Sequence, residues 1–194
     1  MEIILIRHFK TKGNFEKRYI GRTDEPIYLP EVPCQLKLEK NVEQVIVSPM
    51  MRCRQSAELL FPGKAQIICE EFKETDFGEF EGKNYLELTG NPKYQRWIDS
   101  GGTLPFPGGE SREQFRIRCV SGFEKIMDEL LRENCHVAAF VVHGGTIMSL
   151  LSEFDLLSRE FYHWKIKNGE GFQTKICVED WKAGKKYFTE IKKL

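Results

Sequence analysis

The chain has 194 residues, 41% hydrophobic and 30% charged, enough for one globular domain spanning 1–194 with a sizeable core and too few for two. Its 29 basic and 29 acidic residues cancel, so no global field points to nucleic acid or an anionic membrane, and any attraction for anions must be local. Six scattered cysteines without a Cys-x-x-Cys pair argue against a zinc site or a disulfide framework and fit reduced thiols in the cytoplasm.

The first element is apolar: Glu2 to Ile6 reads as a strand buried on both faces, and it ends abruptly on Arg7-His8. Glu2, Arg7 and His8 also spoil a signal-peptide reading. Gln44 to Val47 has the same character and runs into helix-like SPMMRCRQSAELL. Asp99 to Gly109 is a Gly- and Pro-rich loop long enough to act as a flap. Ser111 to Glu133 is predicted helical because Phe115, Cys119, Phe123, Ile126, Leu130 and Leu131 recur at helical spacing, with Ser111 and Gln114 as a capping box. Val137 to Val142 is a third buried strand, far too short to span a bilayer, followed by helix-like GGTIMSLLSEF. The alternation GFQTKICVED and KKYFTEIKK around Lys182-Ala183-Gly184 predicts a strand pair closing one sheet edge. Strands alternating with helices imply an α/β fold, a three-layer αβα sandwich around a mostly parallel sheet.

In open α/β sheets ligands bind beyond the carboxyl ends of the strands. Strand one ends on Arg7-His8, strand two leads to Ser48 with Arg52 one turn into the next helix, and strand three ends on His143-Gly144-Gly145. If the strands are parallel, two arginines and two histidines converge on one edge. Arginine suits phosphate because its planar fork donates two hydrogen bonds and keeps its charge. Histidine adds a neutral ring nitrogen able to attack phosphorus. His8 is the expected nucleophile. His143 is expected to donate to the phosphoryl oxygens, with Gly144 allowing close backbone approach. Phosphoryl transfer asks mainly for positioning and charge stabilisation, so no metal or cofactor is called for. The leaving oxygen needs a proton, and EFKETDFGEFEG offers Glu74 in competition with Glu70, Glu71, Asp76 and Glu79.

The stretches LIRHFKTKGN, VSPMMRCRQSAELL, ETDFGEFEG, PGGES and VVHGGT, over roughly three quarters of the chain, resemble the histidine phosphatase superfamily, the phosphoglycerate mutase-like proteins, with the motifs in family order. The resemblance implies that His8 is the phosphorylated histidine, with Arg7 beside it, Arg52 the second phosphate-binding arginine and His143 the second histidine. It also selects Glu74 as the acid, and places Thr11 and Asn14 near the phosphate. The pattern GRTDEP, DFGEFEG and PGGES looks most like α-ribazole phosphatases of cobalamin assembly, and the short interval from Gly78 to Gly108 favours a phosphatase over a mutase. A small phosphomonoester is the implied partner. A broad-specificity phosphatase, a phosphoglycerate mutase and a non-catalytic phospho-ligand binder are the alternatives.

Two departures stand out. Phe9 occupies the position where the family has glycine, and is expected to narrow the pocket. After GRTDEPI the chain reads YLPEVPC, so the helix that relatives start there is expected to be shortened or displaced.

Plainer readings suit the rest. His136 and His163 read as surface and packing residues, Trp97 and Phe106 as packing under the loop, and Gly169-Glu170-Gly171 as a turn. HGGT is similar to the oxyanion loop of α/β-hydrolases, but the chain has no Gly-x-Ser-x-Gly elbow to accompany it.

Overall fold

Three apolar runs, each too hydrophobic to face water on either side, form adjacent strands at the centre of a mixed sheet. The computed structural model describes residues 1–32 and 41–194. Among them β1 is Glu2–Arg7, β2 Gln44–Val47, β3 Gln66–Ile68, β4 Val137–Val142, β5 Gly171–Lys175 and β6 Glu190–Lys193, in spatial order β3-β2-β4-β1-β5-β6. The first four strands of that order run parallel; β5 pairs antiparallel with β1, and β6 antiparallel with β5. The helices are α1 Lys12–Phe15, α2 Met51–Leu60, α3 Tyr85–Leu88, α4 Pro92–Asp99, α5 Arg112–Arg132, α6 Gly144–Phe154 and α7 Val178–Lys182.

Side-chain alternation in the central strands divides the core in two. Ile3, Leu5, Phe140 and Val142 face α5 and α6, meeting Phe123, Met127, Leu130, Ile147 and Leu151. Ile4, Ile6, Val45, Val47, Ala139 and Val141 face Ala57 of α2 and Phe61 just after it. The result is the expected three-layer sandwich. Each of the larger of these side chains, valine upward, contributes about 1.5–3 kcal/mol when fully buried. The long helix α5 is capped as its sequence suggests, with Ser111 and Gln114 exchanging side-chain and backbone hydrogen bonds.

Two features differ from expectation. The short strand β3 lacks a pattern of its own, since its three residues are half-buried or exposed at the sheet edge. The C-terminal strand pair does close the opposite edge, but Val178–Lys182 is helical: α7 buries Trp181 against Phe154, with ring centroids 5.3 Å apart. The segment after Ile27 begins with one 3-10 turn at Leu29–Glu31, and the remainder of that expected helix, with Cys34, lies outside the described residues. No helix among the described residues is long and apolar enough to cross a membrane.

Candidate active site

Strand register brings the chemistry together. Arg7 pairs with Val142, and Val47 with Val141, so β1, β2 and β4 end nearly level. The His8 amide donates to the Val142 carbonyl at 3.0 Å and the Ser48 amide to Val141 at 3.3 Å. His8 and His143, one residue past their strands, stand edge to face with ring centroids 5.2 Å apart.

His8 is 2% exposed, and its Nδ1 lies 2.6 Å from the Phe9 carbonyl oxygen. A carbonyl can only accept, so the ring proton is on Nδ1 and Nε2 keeps its lone pair. Burial first, then the charges of Arg52 and Arg7, hold the His8 pKa well below the usual histidine value. The residue is therefore neutral with a fixed tautomer.

Arg7 donates from Nη1 to the Ile166 carbonyl at 2.7 Å, while its Nε is buried with no partner among the described residues. A Cβ on Gly144 would sit 3.2 Å from that Nε, so glycine is what lets helix α6 begin against the guanidinium. Arg52, 1% exposed, reaches back from α2 to the carbonyls of Thr23 and Gly21, each at 2.9 Å. The loop it grips is itself held by Glu81, which accepts from the amides of Gly21 and Thr23 at 3.0 Å.

His143 is fully buried, its Nε2 2.8 Å from Ser48 Oγ and its Nδ1 3.6 Å from Glu74 Oε2. Burial, reinforced by Arg52, His8 and Arg7, also keeps it neutral. Glu74 follows β3 and a 3-10 turn anchored by buried Phe72, and accepts the Thr75 amide on Oε1 at 2.9 Å. Its burial raises the carboxyl pKa more than the arginines and the amide lower it. The fold thus brings Arg7, His8, Arg52, Glu74, His143 and Gly144 together.

Thr11 and Asn14 are placed as a reciprocal cap of α1, each side chain accepting the other's amide, at 3.1 and 3.3 Å. Asn168, which carries no signal in the sequence, ties this turn to the site by donating to the His8 carbonyl at 3.0 Å and to Asn14 Oδ1 at 3.3 Å. Ser48 was visible only as the polar end of a buried strand. The Phe9 ring is buried beneath the 168–170 turn, where Gly169 (φ +79°) would bring a Cβ within 3.1 Å of it, and it does not line the cleft. The expected narrowing is therefore corrected: a glycine on the facing turn makes room for the ring.

Glu74 borders two clefts. One, about 460 Å³, has aromatic walls from Tyr19, Phe77, Trp97, Phe106 and Phe115, with Arg7 and Gly144 at its floor. Trp97 and Phe106 stack on each other at 4.9 Å and present that pair to the cleft, so they combine packing with lining. The other, about 690 Å³, has the charged side chains of Arg22, Lys73, Asp76, Glu110 and Arg118 on its walls.

Residues 3–191 match the family model described as "Histidine phosphatase superfamily (branch 1)", and the chain belongs to that superfamily. Over 97% of its length it is 26% identical to a Hydrogenobacter thermophilus protein named "Putative phosphoserine phosphatase 2", covering 95% of that protein. It is 30% identical to 2,3-bisphosphoglycerate-dependent phosphoglycerate mutase 2 of Gloeobacter violaceus, over 81% of this chain and 77% of that one. The fold superposes on the crystal structure of the α-ribazole phosphatase from Shigella flexneri with a TM-score of 0.81, at 19% identity and 91% coverage of both chains.

Proposed function

We propose that the protein is a phosphomonoester hydrolase working through a phosphohistidine on His8. The observation that carries this reading is a neutral, tautomer-locked His8 buried between two guanidinium groups, one of which, Arg7, has a buried Nε without a partner among the described residues. That arrangement suits a phosphoryl dianion approached by a nitrogen lone pair.

His8 Nε2 attacks phosphorus while Arg7, Arg52 and His143 hold the equatorial oxygens, and the ester P–O bond breaks. Glu74, kept protonated by burial, gives its proton to the departing oxygen. The resulting carboxylate then takes a proton from water, the water oxygen attacks the phosphohistidine, and inorganic phosphate leaves with His8 regenerated. The amides of the first turn of α6, beginning at Gly144, add partial positive charge on the same side. Thr11 and Asn14 act by shaping the turn behind His8. The second cleft, bordered by Glu74 and walled by charged side chains, supports hydrolysis over mutase transfer, because it gives water a way to the base.

The substrate is a small phosphorylated metabolite. The aromatic walls of the first cleft support an alcohol with a flat apolar face, for which α-ribazole 5′-phosphate in cobalamin biosynthesis is the specific candidate. Phosphate release from a panel of α-ribazole 5′-phosphate, 3-phosphoglycerate, sugar phosphates and a nitrophenyl ester, with chelator present, tests both levels. Release that His8→Ala abolishes is expected, fastest for the α-ribazole ester. Equal rates across the panel would leave a broad-specificity phosphatase, isomerised phosphoglycerate would mean a mutase, and phosphate binding without release would mean a ligand-binding protein.

A further inference from the structure

The Gly-Gly-Glu-Ser stretch at 108–111 has no part in the chemistry above. Ser111 caps α5, but Glu110 turns its carboxylate to Arg118, receiving Nε at 3.1 Å and Nη2 at 2.7 Å. Arg118 Nη1 then donates to the carbonyls of Glu71 at 2.6 Å and Lys73 at 2.9 Å, within the segment leading directly into Glu74. On the other side of Glu74, the Glu110 amide donates to the Asp76 carbonyl at 2.9 Å. The same guanidinium lies 4.9 Å over the Phe115 ring, and both that ring and Glu74 Oε1 border Gly145. The chain thus enters and leaves Glu74 through one hydrogen-bonded fork.

We propose that Arg118, oriented by Glu110, is the positioning residue of Glu74, fixing the carboxyl at the boundary between the two clefts. The role rests on the hydrolase reading only in that Glu74 is the acid. A lysine would not serve, because only a planar fork spans a carboxylate and two carbonyls at once. Facing Glu74 are His143 before α6, Arg7 at the end of β1, Arg52 and Cys53 on α2, and Arg118 and Cys119 on α5. Of the three arginines, Arg118 alone is bonded to a carboxylate among the described residues, so its effect on Glu74 is tempered by Glu110.

The test is a ¹³C-carboxyl NMR titration of Glu74 in the wild type, Arg118→Gln, Glu110→Gln and Arg118→Lys, with Glu74→Gln identifying the resonance. Removing the cation raises the Glu74 pKa and removing its counter-charge lowers it, each by about half a unit or more. Arg118→Lys leaves the pKa near the wild-type value, while kcat falls about tenfold in both Arg118 variants with KM less affected, as loss of acid alignment requires. A Glu74 pKa unmoved in both Arg118→Gln and Glu110→Gln, in proteins with native near-UV spectra, overturns the proposal. If Arg118→Gln does not fold, an unmoved Glu74 pKa in Glu110→Gln, or an unchanged kcat in Arg118→Lys, overturns it instead. The titration needs no turnover, so an inactive wild type would sink the hydrolase reading and leave this one standing.

Discussion

Ser48 Oγ and His143 Nε2 lie 2.8 Å apart at the ends of β2 and β4. Ser48 Oγ also receives the Met50 amide at 3.4 Å, while the other ring nitrogen, Nδ1, lies 3.6 Å from Glu74 Oε2. A residue at the end of a neighbouring strand thereby fixes the orientation of the His143 ring beside Glu74. Ser48→Ala is expected to lower kcat about tenfold and stability by ~1 kcal/mol, read from steady-state kinetics and urea unfolding. An unchanged kcat would mean the ring is oriented by other contacts.

Arg52 has a double duty in the proposed mechanism, because the guanidinium assigned to the phosphoryl group also holds the 20–23 loop through the carbonyls of Ile20, Gly21 and Thr23. Arg52→Lys keeps the charge and loses the fork. It should cost about 2 kcal/mol of stability, on the order of a hydrogen-bonded charge, and roughly 100-fold in kcat/KM. Unfolding curves and kinetics on the same preparation separate the two losses.

The pH dependence follows from opposed shifts. His8 and His143 have folded pKa values below their unfolded ones, so the unfolded chain binds more protons once the pH falls past about 6.5. Stability should then drop by up to about 1.4 kcal/mol per pH unit for each histidine. Glu74, its pKa raised, runs the other way: its contribution grows as the pH falls through its folded value and is lost above it. Two groups outweigh one. Urea midpoints should therefore decline from pH 7 to pH 5, and His8→Gln should flatten the slope.

Phe9 is expected to matter for stability more than for chemistry. Its ring is 1% exposed beneath the 168–170 turn, so Phe9→Ala should cost about 3–5 kcal/mol through the cavity it leaves. Gly169→Ala should cost about 1–2 kcal/mol, from a strained φ and the 3.1 Å approach to the same ring. Thermal denaturation of both variants checks the pair, and their additivity fails if the two residues share one packing contact.

Much of this site is legible in the sequence because the features that place it are local. Apolar runs with polar ends identify β1, β2 and β4, and once these lie parallel, Arg7, His8 and His143 must meet. The Ser111 to Gln114 spacing likewise announces the start of α5. What the chain does not announce depends on long-range packing. β3 has three residues and half-exposed faces, and α7 is one turn whose Trp181 is drawn inward by Phe154. Asn168 reaches His8 across 160 positions of sequence, and the fit of Phe9 depends on Gly169 at a similar separation. Glu74 stands between these cases: local chemistry offered five carboxylates, and burial beside His143 is what distinguishes one.

The central claim is that phosphate passes through His8. The direct measurement is rapid-quench turnover of a ³²P-labelled phosphomonoester at alkaline pH, where phosphohistidine survives, followed by mapping of the labelled peptide. Label is expected on the peptide containing His8 during turnover, none with His8→Ala, and more of it when Glu74→Gln slows the attack of water. Turnover by the wild type with no label on His8 would contradict it.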